Sequence, residues 1–339
     1  MLIRAKAPLR LSFAGGGTDV PPYPEMEGGC VLSATINKYA YGTLRPRDDG
    51  QICVDSLDYG MSVNYNVDEP IIYDGKLDLV KAAILKLEGV DSSGFDLFLH
   101  SEAPPGSGLG ASSTMMVTLV GLLKEFKNLP LTDYEIAELA YHIERRELGI
   151  QGGLQDQYAA TFGGVNYVEF LADRTIVNPL KVSQDIINEL EHNLLLSYTG
   201  STRLSAHIIE DQVRRYQERD QDTLAHLRRL KELTIEMKNA LLQRRLSEFG
   251  ELMHLEWQSK RQLSDRISTP ALDDLYEEAR RQGAIGGKMS GAGGGGYMLL
   301  YCRFDRKHRV AERLNELGCT ITDFGFDFHG LQTWRVSDD

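Results

Sequence analysis

Cysteine is sparse in this chain and follows no pairing pattern. Cys30, Cys53, Cys302 and Cys319 are scattered through 339 residues, with no C-x-x-C spacing and no histidine cluster beside them. That excludes a disulfide scaffold or a metal site of ordinary spacing and points to reduced thiols. No apolar run approaches about 18 uninterrupted residues, so no membrane-spanning helix is expected. The opening MLIRAKAPLRL lacks the apolar core and small-residue cleavage site of a secretion signal, and the expected location is the cytoplasm. Positive charge is also short: 37 Lys and Arg face 49 Asp and Glu, a formal net charge of −12. Broad attraction to nucleic acid or an anionic membrane is thereby excluded, and any bound anion must be held by local groups. Neither Gly-Lys-Ser nor Gly-Lys-Thr occurs, which removes the ordinary Walker P-loop. Gly291-x-Gly293-x-x-Gly296 and Asp323-Phe324-Gly325 mimic protein-kinase signatures, but no His-Arg-Asp loop or Val-Ala-Ile-Lys strand accompanies them.

What remains is the composition of a folded globular chain, 42% hydrophobic and 25% charged. Strand-like alternation and β-branched residues mark 3–7, 30–44, 51–57 and 95–99. Residues 111–126 are apolar on nearly every face, as in a buried helix. A second helix is expected over 132–147, where LTDYE offers Thr132 as cap and Glu135 three residues on. After GIQGGLQD come a short helix and strands over 165–171, 175–180 and 193–200. Residues 203–263 read as successive charged helices covering a sheet, since no single heptad register is kept. A helix over 272–281, a glycine-dense loop, the strand YMLLYC, a helix over 308–317 and a strand over 321–328 complete the chain. This is an α+β pattern in two lobes, divided as 1–180 and 181–339.

Three places carry chemistry. In APPGSGLGASSTMMVTL, Pro105, Gly106, Ser107, Gly108, Leu109, Gly110 and Ala111 lead into a buried helix. Free N–H groups and the positive end of the helix dipole meet there, which suits an anion. Ser112 and Ser113, in the first turn, can donate to phosphate or coordinate Mg2+. The second place is GGKMSGAGGGG, whose near-absence of side chains implies close backbone approach to something. The third holds Asp156, just after a glycine-rich loop, and Glu144, near the end of the preceding helix. Phosphoryl transfer needs a group to orient the acceptor hydroxyl and oxygen ligands for Mg2+. Asp156, Glu144 and Ser112 supply that minimum if the fold brings them together.

In order and kind, APLRLSFAGGGTD, PPGSGLGASS and KMSGAGGGG resemble the GHMP kinases, and the resemblance spans essentially the whole chain. It implies a two-lobed GHMP kinase fold, with an N-terminal ribosomal-protein-S5 domain-2-like lobe and a C-terminal ferredoxin-like lobe. It also implies ATP over the glycine loop, Mg2+ on Ser112 and Glu144 (with Glu147 one turn away as the alternative), and Asp156 as the catalytic carboxylate. RAKAPLRLSFAGGGTD, GGLQDQYAATFGG and LLLSYTGSTRLSAHIIEDQ resemble most the heptose 7-phosphate kinases and the fucokinases. The Glu-His that galactokinases carry before Thr-Asp is absent at Gly16-Gly17, which argues against galactose. The resemblance implies an acceptor site from Arg10, Gly17, Thr18, Asp19, Gly293 and Gly294. Thr199 and Arg203 in YTGSTRLS would hold a sugar phosphate, with Lys6, Arg10 and Arg45 as other cations. The expected partners are ATP and a small sugar phosphate, D-glycero-D-manno-heptose 7-phosphate, phosphorylated at its anomeric hydroxyl. The alternatives are a kinase for a neutral sugar and a catalytically silent sugar-binding homologue.

Overall fold

The structure is a computed structural model that describes residues 1–87, 94–201 and 206–337. Its first sheet is organised by one long strand. β1 (Leu2–Ala14) is followed by a short α1 (Tyr23–Glu27) and by β2 (Gly29–Arg47). At 19 residues β2 is long enough to serve two neighbours on one side. The chain continues through β3 (Gln51–Ser56), β4 (Met61–Asn66), α2 (Asp78–Leu87) and β5 (Gly94–Ser101). Next come α3 (Ala111–Lys127), α4 (Asp133–Tyr141), a π-helical turn (His142–Glu147), α5 (Gln155–Phe162), β6 (Val165–Phe170) and β7 (Thr175–Pro179). β2 pairs with β5 through 40–47 and with β6 through 29–34, while β1 runs antiparallel along its other edge.

The second half runs α6 (Gln184–Asn193), β8 (Leu194–Tyr198), α7 (Ala206–Gln217), α8 (Gln221–Leu242), α9 (Leu246–Lys260) and α10 (Pro270–Gln282). It ends with β9 (Ala284–Met289), β10 (Tyr297–Cys302), α11 (Lys307–Glu316), β11 (Thr320–Thr322) and β12 (Gln332–Val336). The order β11-β8-β10-β9, all antiparallel, with helices between β8 and β9 and between β10 and β11, is the ferredoxin-like split arrangement.

The capping box at Thr132 and Glu135 forms as its sequence implies. α3 is buried along most of its length, as its all-round apolar character requires. Several elements lie outside the sequence reading: α2, β4, α6, β9 and β12. β9 is hidden by its glycines. A Cβ on Gly286 would stand 2.0 Å from the carbonyl oxygen of Gly250, so the strand lacks side chains because α9 lies directly against it. The strand expected over 321–328 shrinks to β11 and a single bridge between Ile36 and Phe326. Nor does the second lobe keep everything from 181 to 339. β12 crosses back and pairs with β1, giving the first sheet the order β12-β1-β2-β5-β3-β4, with β6 and β7 branching from β2.

Candidate active site

The loop 105–110 reaches α3 through a left-handed Gly110 (φ 77°) that offers no side-chain cap. The first N–H groups of α3 are therefore left for an anion. Gly110 is also the place where Asp156 draws near: a Cβ there would meet its carboxylate at 3.3 Å. The loop is braced from the second lobe. Tyr297 N–H donates to the Ser107 carbonyl (2.9 Å) and Ser290 Oγ to the Gly108 carbonyl (2.9 Å). A Cβ on Gly108 would lie 2.5 Å from the Ser290 carbonyl, and one on Gly296 2.3 Å from the Ser107 carbonyl. The two glycine clusters are thus poor in side chains because their backbones pack against each other.

A cleft of about 240 Å³ opens beside this junction, lined by Arg10, Asp19, Ser112, Glu144, Asp156 and Lys260 among others. Asp156 sits in the first turn of α5, and its Oδ1 accepts from Arg10 Nε (2.8 Å) and Nη2 (2.7 Å). Arg10 also donates to the Gly108 carbonyl at 2.5 Å, so the guanidinium ties the carboxylate to the glycine loop. Glu144 is fully buried in the π-helical turn. Its Oε1 accepts from Ser112 Oγ (2.8 Å), and its Oε2 from Ser113 Oγ (2.7 Å) and Gln157 Nε2 (2.7 Å). Arg145 balances it at 3.3 Å, and a Cβ on Gly152 would lie 2.2 Å from that guanidinium carbon. Glu147 faces away and pairs with Lys86 and His142. Glu144 and Ser112 offer hard oxygen donors at a helix N-terminus, a set that suits Mg2+ completed by phosphate oxygens.

On the opposite wall, Asp19 is buried and accepts from Gly17 N–H (2.9 Å) and Gln155 Nε2 (3.1 Å). Lys260, the last residue of α9, donates to the Gly291 carbonyl at 2.6 Å. Burial, and after it the neighbouring Lys288 ammonium, push Lys260 down to about 7. Lys288 itself forms a fully buried pair with Glu256 at 2.6 Å. A second cavity, of about 310 Å³, shares Ala111, Ser112 and Ile150 with the cleft and is lined by Tyr59, Leu79, Pro105 and Met115.

The cleft gathers Gly106, Ser107, Gly108, Gly110, Ala111, Ser112, Ser113, Glu144, Asp156, Arg10, Gly17, Asp19 and Gly293. Five expected positions fall elsewhere. Thr18 is buried with its hydroxyl spent on the Gly15 and Cys30 carbonyls, which closes the turn between β1 and β2. Thr199 donates to the Gly296 carbonyl, and Gly294 N–H to the Ile267 carbonyl. Leu109 is a core residue, and Pro105 faces the second cavity. Arg203 lies outside the described residues. Lys6 lies over the Tyr39 ring and Arg45 pairs with Asp96, both away from the cleft. Sequence reasoning missed Gln157, Arg145, Gln155 and Lys260. Only the spacing of Gln155 and Gln157 around Asp156 at the start of α5 signalled any of them.

Two family patterns match the chain: GHMP kinases N terminal domain over residues 78–164, and GHMP kinases C terminal over residues 237–318. The chain is 40% identical over 338 residues to D-glycero-alpha-D-manno-heptose 7-phosphate kinase of Campylobacter jejuni, covering 98% of this chain and 99% of that protein. It is 30% identical over 334 residues to the bifunctional fucokinase/GDP-fucose pyrophosphorylase of Arabidopsis thaliana, covering 92% of this chain and 31% of that longer protein. Among solved structures it is similar to a D-glycero-D-manno-heptose 1-phosphate kinase from Bacteriodes thetaiotaomicron. The TM-score is 0.84 at 36% identity, over 99% of this chain and all of that one (100%).

Proposed function

This chain belongs to the GHMP kinase family, and on that footing we propose that it transfers the γ-phosphate of ATP to the anomeric hydroxyl of D-glycero-D-manno-heptose 7-phosphate, giving the 1,7-bisphosphate and ADP. The observation that carries the reading is the pairing of Asp156 with Arg10 beside the uncapped N-terminus of α3. The triphosphate lies along that N-terminus, where the N–H groups of 111–113 and the helix dipole meet its charge. The nucleobase occupies the neighbouring cavity among Tyr59, Leu79 and Met115. Ser112 and Glu144 would hold Mg2+, which supplies charge neutralisation at the phosphates when bound.

Asp156 orients the acceptor hydroxyl and accepts its proton as the new phosphate ester forms. Arg10 fixes the carboxylate, with Nε and Nη2 both on Oδ1. Asp19, held by Gly17 and Gln155, presents its remaining acceptor capacity to sugar hydroxyls. Full-length similarity to the Campylobacter jejuni enzyme supports the heptose phosphate as acceptor.

ADP release with Mg2+-ATP tests this, with D-glycero-D-manno-heptose 7-phosphate, the unphosphorylated heptose, fucose, mannose and galactose as acceptors. Strong turnover with the phosphorylated heptose alone is expected. Equal turnover with a free sugar overturns the requirement for the phosphate, and silence with every acceptor overturns the sugar-kinase reading.

A further inference from the structure

We propose that Lys260 is a catalytic residue of this cleft, and that its ammonium, beside Gly16 and Gln155 on the cleft wall, meets the phosphoryl group in transit. The inference rests on the kinase reading above and adds a cation to it.

The first support is position. Lys260 ends α9, with its ammonium on the Gly291 carbonyl at 2.6 Å. Gly291 in turn packs on the phosphate loop, where a Cβ on Gly291 would lie 2.8 Å from the Gly108 Cα. The ammonium therefore stands one residue away from the loop that receives the triphosphate, close enough to Arg10, the partner of Asp156, to feel its charge. A phosphate on the far carbon of a seven-carbon sugar would be held well away from this spot, because the anomeric hydroxyl has to face Asp156.

Charge is the second. The cleft's other cations among the described residues are committed to carboxylates, Arg10 to Asp156 and Arg145 to Glu144. Lys260 has only a carbonyl partner, so among the described residues it is the cleft cation left for an incoming anion. An ammonium carries three donors, and one carbonyl uses one of them.

The third is the space itself. A Cβ on Gly16 would lie 3.1 Å from Lys260 Nζ, 3.5 Å from Gln155 Nε2 and 3.6 Å from Ser12 Oγ. Ser12 Oγ and Gln155 Oε1 are both buried without a hydrogen-bond partner. Gly16, Gln155 and Lys260 all line the cleft, and the missing side chain of Gly16 leaves the ammonium uncovered there, where a Cβ would crowd it at 3.1 Å; buried polar groups need partners.

In the reaction, the anomeric oxygen bonds to the γ-phosphorus as the bond to the β-bridging oxygen breaks. The hydroxyl proton passes to Asp156, and ADP leaves with the bond's electron pair. Lys260 gives up no proton; it donates hydrogen bonds to the non-bridging oxygens, where charge is spread in a loose transition state. The groups around Lys260 set its proton occupancy: Lys288 on β9 and Arg10 on β1 disfavour the charged form, while Glu256 on α9 and Asp19 after β1 favour it. A triphosphate in the cleft adds strong negative potential and recruits the proton.

Calorimetric titration with the non-hydrolysable analogue AMP-PNP, at pH 7 in buffers of different ionisation heat, reads that recruitment without any sugar. Because burial and the neighbouring Lys288 ammonium hold Lys260 down, wild type should take up a fraction of a proton per analogue bound, and much less with ADP. Lys260→Met should take up none. In turnover assays Lys260→Met should lose about 10²–10³ in kcat, the scale of one oxyanion donor, with KM changed only a few-fold. Gly16→Ala should reproduce the kcat loss with the lysine retained, which keeps the test decisive if Lys260→Met does not fold. Uptake unchanged in Lys260→Met, uptake that accompanies the sugar phosphate instead of the nucleotide, or an unchanged kcat in Gly16→Ala would overturn the assignment. Wild type that shows the nucleotide-linked uptake yet phosphorylates no sugar would sink the acceptor reading and leave Lys260 standing.

Discussion

Asp156 and Glu144 are carboxylates with opposite surroundings. Asp156 is partly open to the cleft, with one cation on one oxygen, so its other oxygen can take a hydroxyl. Glu144 is buried at the wall of the cleft, with Ser112 on Oε1 and Ser113 and Gln157 on Oε2. Asp156→Asn should therefore keep the fold and nucleotide affinity while losing about 10²–10⁴ in kcat, measured by ADP release. Wild-type-like turnover would remove Asp156 from the mechanism. Glu144→Gln should act on the metal instead, raising the Mg2+ concentration for half-maximal rate by about 10–100-fold. A Mg2+ titration at saturating ATP distinguishes the two. Both carboxylates stand out in the sequence as candidates, Asp156 after a glycine loop at a helix start and Glu144 near the end of the preceding helix, while the part assigned to each comes from the resemblance. Thr18 misled for a local reason, since a hydroxyl beside an aspartate reads as a ligand whether it faces the cleft or a backbone carbonyl. Lys260 was not legible at all, because a lysine ending a charged helix looks like any solvated one.

Among the elements, the helices follow their sequence signals more faithfully than the strands. The capping box at Thr132 is worth about 0.5–2 kcal/mol, and Thr132→Ala should lower denaturant stability by that amount with activity unchanged, since the box faces away from the cleft. The helix it starts loses α-geometry at His142, and the resulting π-helical turn ends the run with Glu144 buried beneath Ser112 and Ser113. An apolar periodicity cannot announce such a change of winding. β9 shows the converse failure, a strand written in glycine because a helix presses on it. Gly286→Ala would drive a methyl into the Gly250 carbonyl and should cost at least the ~1–3 kcal/mol of an overpacked core, read as a lowered Tm. A wild-type Tm in that variant would mean that α9 can yield.

At the scale of the molecule, the second lobe's ferredoxin-like order follows from its alternation of helices and strands, whereas the destination of the last strand does not. Nothing in QTWRV says which sheet edge it joins; that is decided by which edge is left vacant. Burial of charge is likewise a property of the whole. Lys260 titrates near 7 when folded and near 10.4 when free, so between those values the unfolded chain binds more protons and stability rises with pH. Stability measured from pH 7 to pH 9 should climb more steeply for wild type than for Lys260→Met. An identical slope in the two would show that the lysine is solvated.

The return of β12 to β1 has a mechanical consequence. The lobes are joined by two covalent crossings, one between β7 and β8 and the other between β11 and β12. The joint is more than covalent, because Leu9, Leu11 and Phe13 of β1 share one buried core with Leu194, Leu196, Phe249 and Leu299 of the second half. The place where the two glycine clusters meet is thereby fixed from both sides, by chain and by apolar packing.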